Sequence, residues 1–332
     1  MRRKCWFRAI LPPLACLFAM VAGRAAGGEA IQLIMGDVLA EEHPHSRAYH
    51  YFADRVKELT KGEVEVQVFV NSALGNQRDL VEGLGLGTVQ IAKTMTTGLS
   101  SYFPEIQVFD LPYMFSGREH FYRVLDGEVG KYFLTEILPK HGFYGLAYLD
   151  AGIRSIYNRN KPILKIDDVR GMKLRVPESP IFMDSMAAFN ASGTPMPVGD
   201  IYTALQTGVI DGAENAPIFY HMQAHFEAAP YFSRTFHMMT PDIVLMSLDF
   251  FNGLSEDHRA ALLQAAADMV KWERKAWVDL ETSTEKLLVE KGAKLNDVDD
   301  LTGFREAAKK VWAKYAPIVG QELIDKIQAQ AK

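Results

Sequence analysis

The chain has 332 residues, with 36 basic side chains against 41 acidic ones and a formal charge of −5. That balance makes it a poor partner for nucleic acid or an anionic membrane, so any anion it holds must be held by local arginines. Its only two cysteines, Cys5 and Cys16, sit at the N-terminus, which excludes disulfides and thiolate chemistry from the rest of the chain.

Residues 1–28 read as a secretory signal peptide. Arg2, Arg3, Lys4 and Arg8 form a basic start, an apolar run covers Ile10 to Gly23, and small residues follow at Ala25, Ala26, Gly27 and Gly28. Pro12 and Pro13 interrupt the run, which is too short for a transmembrane helix. The run continues past Cys16, so ordinary cleavage between Gly23 and Ala30 is expected rather than a lipoprotein anchor. Without the five basic residues Arg2, Arg3, Lys4, Arg8 and Arg24, the 36 basic residues become 31 against 41 acidic, a net charge of −10. About 300 remaining residues are enough for two domains with their own cores.

Ile31 to Met35 reads as a buried strand. Ser46 to Thr60 is an amphipathic helix with Ser46 as its cap, and Glu63 to Val68 alternates as a strand covered on one face. A helix over Gln77 to Leu84 and a strand through Val89 to Ala92 complete a strand–helix rhythm, which implies a largely parallel, helix-covered sheet. Short helices follow near His120 to Leu125 and Val129 to His141, then strands over Phe143 to Leu149 and Ile153 to Tyr157. The joint between these strands, Asp150-Ala151-Gly152, reads as a domain crossing.

A second α/β unit begins with Gly171-Met172-Lys173-Leu174-Arg175-Val176-Pro177. Leu174 and Val176 favour an extended chain and Pro177 disfavours helix before it, so Arg175 lies near the end of a short strand. Strand ends are where open α/β sheets bind small ligands, and a guanidinium there fits a carboxylate. A helix over Ile181 to Asn190, a strand near Thr194 to Met196, a helix over Ile201 to Thr207 and a strand end at Asp211 to Asn215 follow. From 255 to 291 there is no Gly or Pro; Ser255 caps one long helix, with Leu262, Met269, Trp277, Leu280 and Leu287 as its apolar stripe.

Gly83-Leu84-Gly85-Leu86-Gly87 has the wrong spacing for a dinucleotide loop, and there is no Gly-x-Ser-x-Gly elbow. His221 and His225 are four apart but lack a zinc protease's glutamate. No metal site and no cofactor are expected. His43, in a loop just before Pro44, is a candidate ligand contact. Arg154, Arg175 and Asn215, each near a strand end of the second unit, could together hold one carboxylate.

Several stretches, in order along the chain, resemble the substrate-binding proteins of tripartite ATP-independent periplasmic (TRAP) transporters, the DctP family. They are His43-Pro44, Leu74-Gly75-Asn76-Gln77-Arg78, Phe103-Pro104-Glu105, Asp110-Leu111-Pro112-Tyr113 and Gly152-Ile153-Arg154 with Asn158. The Arg175 stretch, Thr194-Pro195-Met196-Pro197, the run Ile201 to Gly208 and Asp211 to Asn215 complete the set. The resemblance implies a two-domain α/β periplasmic binding protein with a hinged cleft and a long helix spanning both domains. Domain I would be 29–151 with 240–275, domain II 152–239 with 280–332, and the helix 255–291. It assigns Arg175 to the substrate carboxylate, with Arg154 and Asn215 beside it. Asn76, Gln77, Thr96 and Val198 complete the expected substrate-binding set with His43.

Met95, Thr96, Thr97 and Gly98 replace the acid and arginine of sialic-acid binders, so sialic acid is not expected. A small organic acid is, foremost a sugar acid such as a uronate or aldonate, with a C4-dicarboxylate as the alternative. The expected partner is a TRAP membrane permease. The protein is expected to be a periplasmic monomer that binds no nucleic acid and catalyses nothing; an exported α/β enzyme or a sensor module are the other classes compatible with the pattern.

Overall fold

The computed structural model describes residues 29–331, and the signal-peptide reading lies outside the described residues. Eleven strands are described: β1 (Ile31–Gly36), β2 (Val64–Phe69), β3 (Ile91–Met95), β4 (Phe143–Leu149), β5 (Arg154–Asn158), β6 (Lys173–Val176), β7 (Ser192–Pro195), β8 (Gly212–Asn215), β9 (Tyr231–Met238), β10 (Asp242–Ser247) and β11 (Lys294–Asp297). They form two sheets, ordered β2-β1-β3-β10-β4 and β11-β9-β5-β8-β6-β7. The chain passes from the first lobe to the second at Asp150–Ile153 and returns through Met239–Pro241. Gly152 carries a φ of +77°, and a Cβ there would come within 2.6 Å of the Ala216 side chain, so this crossing is built around a glycine.

Each sheet is mixed at its centre. In the first, β1 runs parallel to β2 and β3, but β10 inserts antiparallel between β3 and β4, setting Asp242 against Met95 and Leu149. In the second, β5 lies antiparallel to both β8 and β9, while β6 is parallel to β7 and β8. The sequence reading did not identify β9 and β10.

The expected helix at Ser46 begins two residues earlier, at Pro44. Proline's fixed φ suits a first helical position, and the His43 imidazole caps the helix by accepting from the His45 N–H. The helix expected to end at Leu84 runs through Gln77–Leu86 and stops at Gly87, in the left-handed region.

The long helix is a single element, Glu256–Glu290, capped by Ser255 Oγ accepting from His258 N at 3.1 Å. At 1.5 Å per residue it is about 50 Å long. Leu262, Ala265, Ala266 and Met269 pack into the first lobe's core with Leu33, Tyr49 and Phe52. Trp277 joins Ala216 and Ile218 at the crossing, and Leu288 enters the second lobe's core with Tyr157 and Phe232. Leu287, assigned to the buried stripe from sequence, is 38% exposed. At about 3.6 residues per turn Leu287 lies about 20° from Leu262 on one side and Leu288 about 80° on the opposite side, so the buried face itself turns as the helix passes from the first lobe to the second.

The C-terminal helices Thr302–Val319 and Gln321–Gln328 touch both lobes. Tyr315 OH donates to Asp184 in the second lobe at 2.7 Å, while Trp312 Nε1 donates to the Pro112 carbonyl in the first at 2.7 Å.

Candidate functional site

A cleft of about 640 Å³ lies between the lobes. Arg154 opens β5, Arg175 lies on β6 and Asn215 ends β8. The register pairs Ser155 with Asn215 and Arg175 with Ala213, which brings all three residues to one sheet edge facing the cleft.

The two arginines differ in what they hold. Arg154 donates to both oxygens of Glu214, from Nε at 2.6 Å and Nη2 at 2.7 Å. It also reaches the Glu214 carbonyl at 3.0 Å and Asn215 Oδ1 at 3.3 Å. Burial disfavours Glu214's charge, but Arg154 overrides it and holds that carboxyl below its usual range. Arg175 forms no ion pair among the described residues. Its Nε and Nη2 both donate to one carbonyl, that of Met196, at 2.9 and 2.6 Å. Only 4% of it is exposed. Burial, reinforced by the charge of Arg154 and opposed by Glu214, pushes its pKa down to about 10. Glu214, the acid beside both arginines, pairs with Arg154 and not with Arg175.

His43, Asn76, Gln77 and Val198 also line the cleft. Asn76 Oδ1 is occupied as a helix cap, accepting from the N–H groups of Arg78 and Asp79. Burial first, and the neighbouring charges of His45 and Lys93 next, hold His43 well below the usual histidine range, so it is neutral. Thr96 is not among the residues around the cleft; its hydroxyl turns away and donates to Asp110 Oδ1 at 2.6 Å. Lys93, Met95 and Thr97 line the cleft, whereas Thr96, the first residue of the short 3-10 turn Thr96–Leu99 that follows β3, is fully buried.

Sequence reasoning missed the first lobe's charged wall. Lys93 Nζ lies 3.1 Å from Asp242 Oδ2 and 3.3 Å from Asp37 Oδ1. His45 lies 3.3 Å from Asp242 and 3.3 Å from Glu273, and donates through Nε2 to the Asp150 carbonyl at 2.9 Å. Burial works against a charged His45, yet Asp242 and Glu273 raise its pKa to about 10, so it is an imidazolium at neutral pH. Burial works against a charged Asp242 too, but Lys93 and His45 hold it well below the carboxylate range. A signal was available in Ile91-Ala92-Lys93-Thr94-Met95, where a lysine inside a buried strand needs a partner. No group of three or more His, Cys, Asp or Glu among the described residues could hold a metal ion.

Two α/β lobes joined by short crossings, enclosing a cleft whose wall carries a buried cation without its own anion, define a solute-binding receptor. The chain belongs to the DctP family, bacterial extracellular solute-binding protein family 7, whose family model matches residues 35–317. A solute-binding protein of Chromohalobacter salexigens is 32% identical over 273 residues, 82% of this chain and 81% of that protein. The crystal structure of a TRAP periplasmic solute-binding protein from Roseobacter denitrificans with bound β-D-glucuronate is 32% identical. It superposes with a TM-score of 0.87 over 90% of this chain and 99% of that one. The sugar acid binding protein of Advenella mimigardefordensis, in complex with galactonate, is 32% identical with a TM-score of 0.85, covering 91% of this chain and 98% of that one.

Proposed function

We propose that the protein is the receptor of a TRAP transporter, which captures a sugar acid, a hexuronate or aldonate, in the cleft and delivers it to the membrane permease. The observation that carries this reading is Arg175: a buried guanidinium facing the cleft, with only a backbone carbonyl as partner, is a site for a carboxylate. The glucuronate and galactonate held by similar proteins support the ligand class.

The first sheet with 29–151 and 240–275, and the second with 152–239 and 280–332, act as two bodies that close when the acid touches both. Ligand then shifts the hinge equilibrium by binding the closed state better. Asn215 and Arg154 fix the second lobe's edge, and His43, Gln77 and Val198 shape the rest of the cleft. The chain works as an exported, signal-cleaved monomer and turns nothing over.

Mass spectrometry of the acid released from freshly purified protein tests the class. Calorimetry with D-glucuronate, D-galacturonate, D-galactonate and succinate then ranks ligands. Succinate binding tighter than every sugar acid would overturn the sugar-acid reading, and consumption of any of these acids would overturn the receptor.

A further inference from the structure

We infer that Asp242, held by Lys93, forms a hydroxyl-reading subsite in the first lobe that takes the polyol end of a monocarboxylic sugar acid and refuses a second carboxylate. The inference rests on the sugar-acid reading above.

Asp242 stands at the start of β10, is 3% exposed and lines the cleft. Its Oδ2 faces Lys93 and His45. Its Oδ1 is buried and has no hydrogen-bond partner among the described residues. A buried carboxylate oxygen left without a donor is costly, so a group that brings a proton into the cleft recovers that cost on binding. A ligand hydroxyl carries such a proton; a carboxylate at neutral pH does not.

The charges point the same way. Around this wall two cations, Lys93 and His45, face three acids, Asp37, Asp242 and Glu273. Around the arginines two cations face two acids: Glu214, which is paired with Arg154, and Glu178, whose charge reaches Arg175 without forming an ion pair. Arg175 is thus a buried cation of the cleft with no ion-pair partner among the described residues, while Lys93 is already paired with Asp242 and Asp37. A monocarboxylate fits in a single orientation, acid group to Arg175 and hydroxyls to Asp242. A dicarboxylate of the same length must set its second anion against Asp242 Oδ1, and like-charge contacts of this kind are the usual device for rejecting a near relative.

The test uses galactonate and galactarate, six-carbon chains that differ only in a terminal CH₂OH or carboxylate, with galacturonate as the ring form. Calorimetry on the wild type at pH 7.5 should show galactonate or galacturonate binding at least about 100-fold tighter than galactarate. Asp242→Asn, which keeps the shape but removes the charge, should lose about 10- to 100-fold for the monocarboxylates, the usual effect of losing a hydrogen bond to a charged group. The gap to galactarate should narrow below about 10-fold. Equal wild-type affinity for galactonate and galactarate overturns the subsite while leaving the sugar-acid reading intact, and that measurement needs no variant. An undiminished gap in folded Asp242→Asn overturns it as well. If the wild type binds none of the sugar acids, the sugar-acid reading fails and the subsite with it.

Discussion

Arg154 and Arg175 lie on strands of the same sheet, both almost fully buried and both at the cleft. Burial opposes the charge of each. At Arg154 the opposition is overcome, because Glu214 engages the guanidinium through two oxygens, and its pKa rises. At Arg175 nothing overcomes it, and its pKa falls to about 10. One region is a finished ion pair and the other is half of one. A protein that buries a cation without an anion gives up stability there, and it regains that stability when a ligand supplies the missing charge.

The sharpest break in this comparison comes from unmaking the finished pair. Glu214→Gln leaves Arg154 buried and uncompensated, and should destabilise the apo protein by about 3–5 kcal/mol, read as a lower urea midpoint at unchanged slope. Arg175→Ala should do the reverse. The apo melting temperature should hold or rise, while carboxylate affinity falls by about 2–5 kcal/mol, roughly 30- to several-thousand-fold in calorimetry. Arg175→Lys keeps a charge but loses the planar fork and should fall between wild type and alanine. Near-wild-type affinity in folded Arg175→Ala would remove the distinction between the two regions.

A smaller effect involves Asp110, which hydrogen-bonds Thr96 and feels Arg154's charge. Burial raises its pKa to about 7, above its ordinary 3.8. The folded state thus binds this proton more tightly than the unfolded chain. Folding is unpenalised below about pH 4, loses ground as pH rises towards about 7, and carries the full cost above that. Asp110→Asn should therefore match wild type near pH 4 and melt about 2–4 °C higher at pH 8. The smallest effect separates two neighbouring threonines. Thr96→Val should cost about 1 kcal/mol of stability through its lost hydrogen bond and leave affinity alone, whereas Thr97→Val should alter affinity with little change in melting.

What the sequence made legible follows from locality. The long helix announces itself through Ser255 and a run without Gly or Pro. The strand of Arg175 is bounded by Gly171 and Pro177, so its arginine could be placed near a strand end. Asp242 could not be placed in the cleft, because β10 returns from the second lobe to insert between β3 and β4, some 150 residues from β3 and nearly 100 from β4 in sequence. No local pattern encodes that insertion. Thr96 could not be oriented from the sequence because β3 gives way there to the short 3-10 turn Thr96–Leu99, where the strand's alternation no longer says which side chain faces the cleft. Arg154's commitment to Glu214 was hidden for a related reason: β5 and β8 are antiparallel neighbours, but their register is set by the sheet rather than by spacing along the chain.

Trp277 gives the crossing an optical readout. Beyond Trp6, the chain has Trp272, Trp277 and Trp312. Trp272 stacks on Tyr51 within the first lobe, and Trp312 reaches from the C-terminal helix to the Pro112 carbonyl, away from the cleft. Trp277 alone among them lines the cleft, with its ring 5.1 Å from the His45 imidazolium, a quencher of indole emission, and against Gly152 where the chain changes lobes. Any rotation at Gly152 or displacement of His45 alters the light this indole emits. Stopped-flow fluorescence of the unlabelled protein can therefore time each closure, and Trp277→Phe should remove the largest part of the ligand-dependent change in emission.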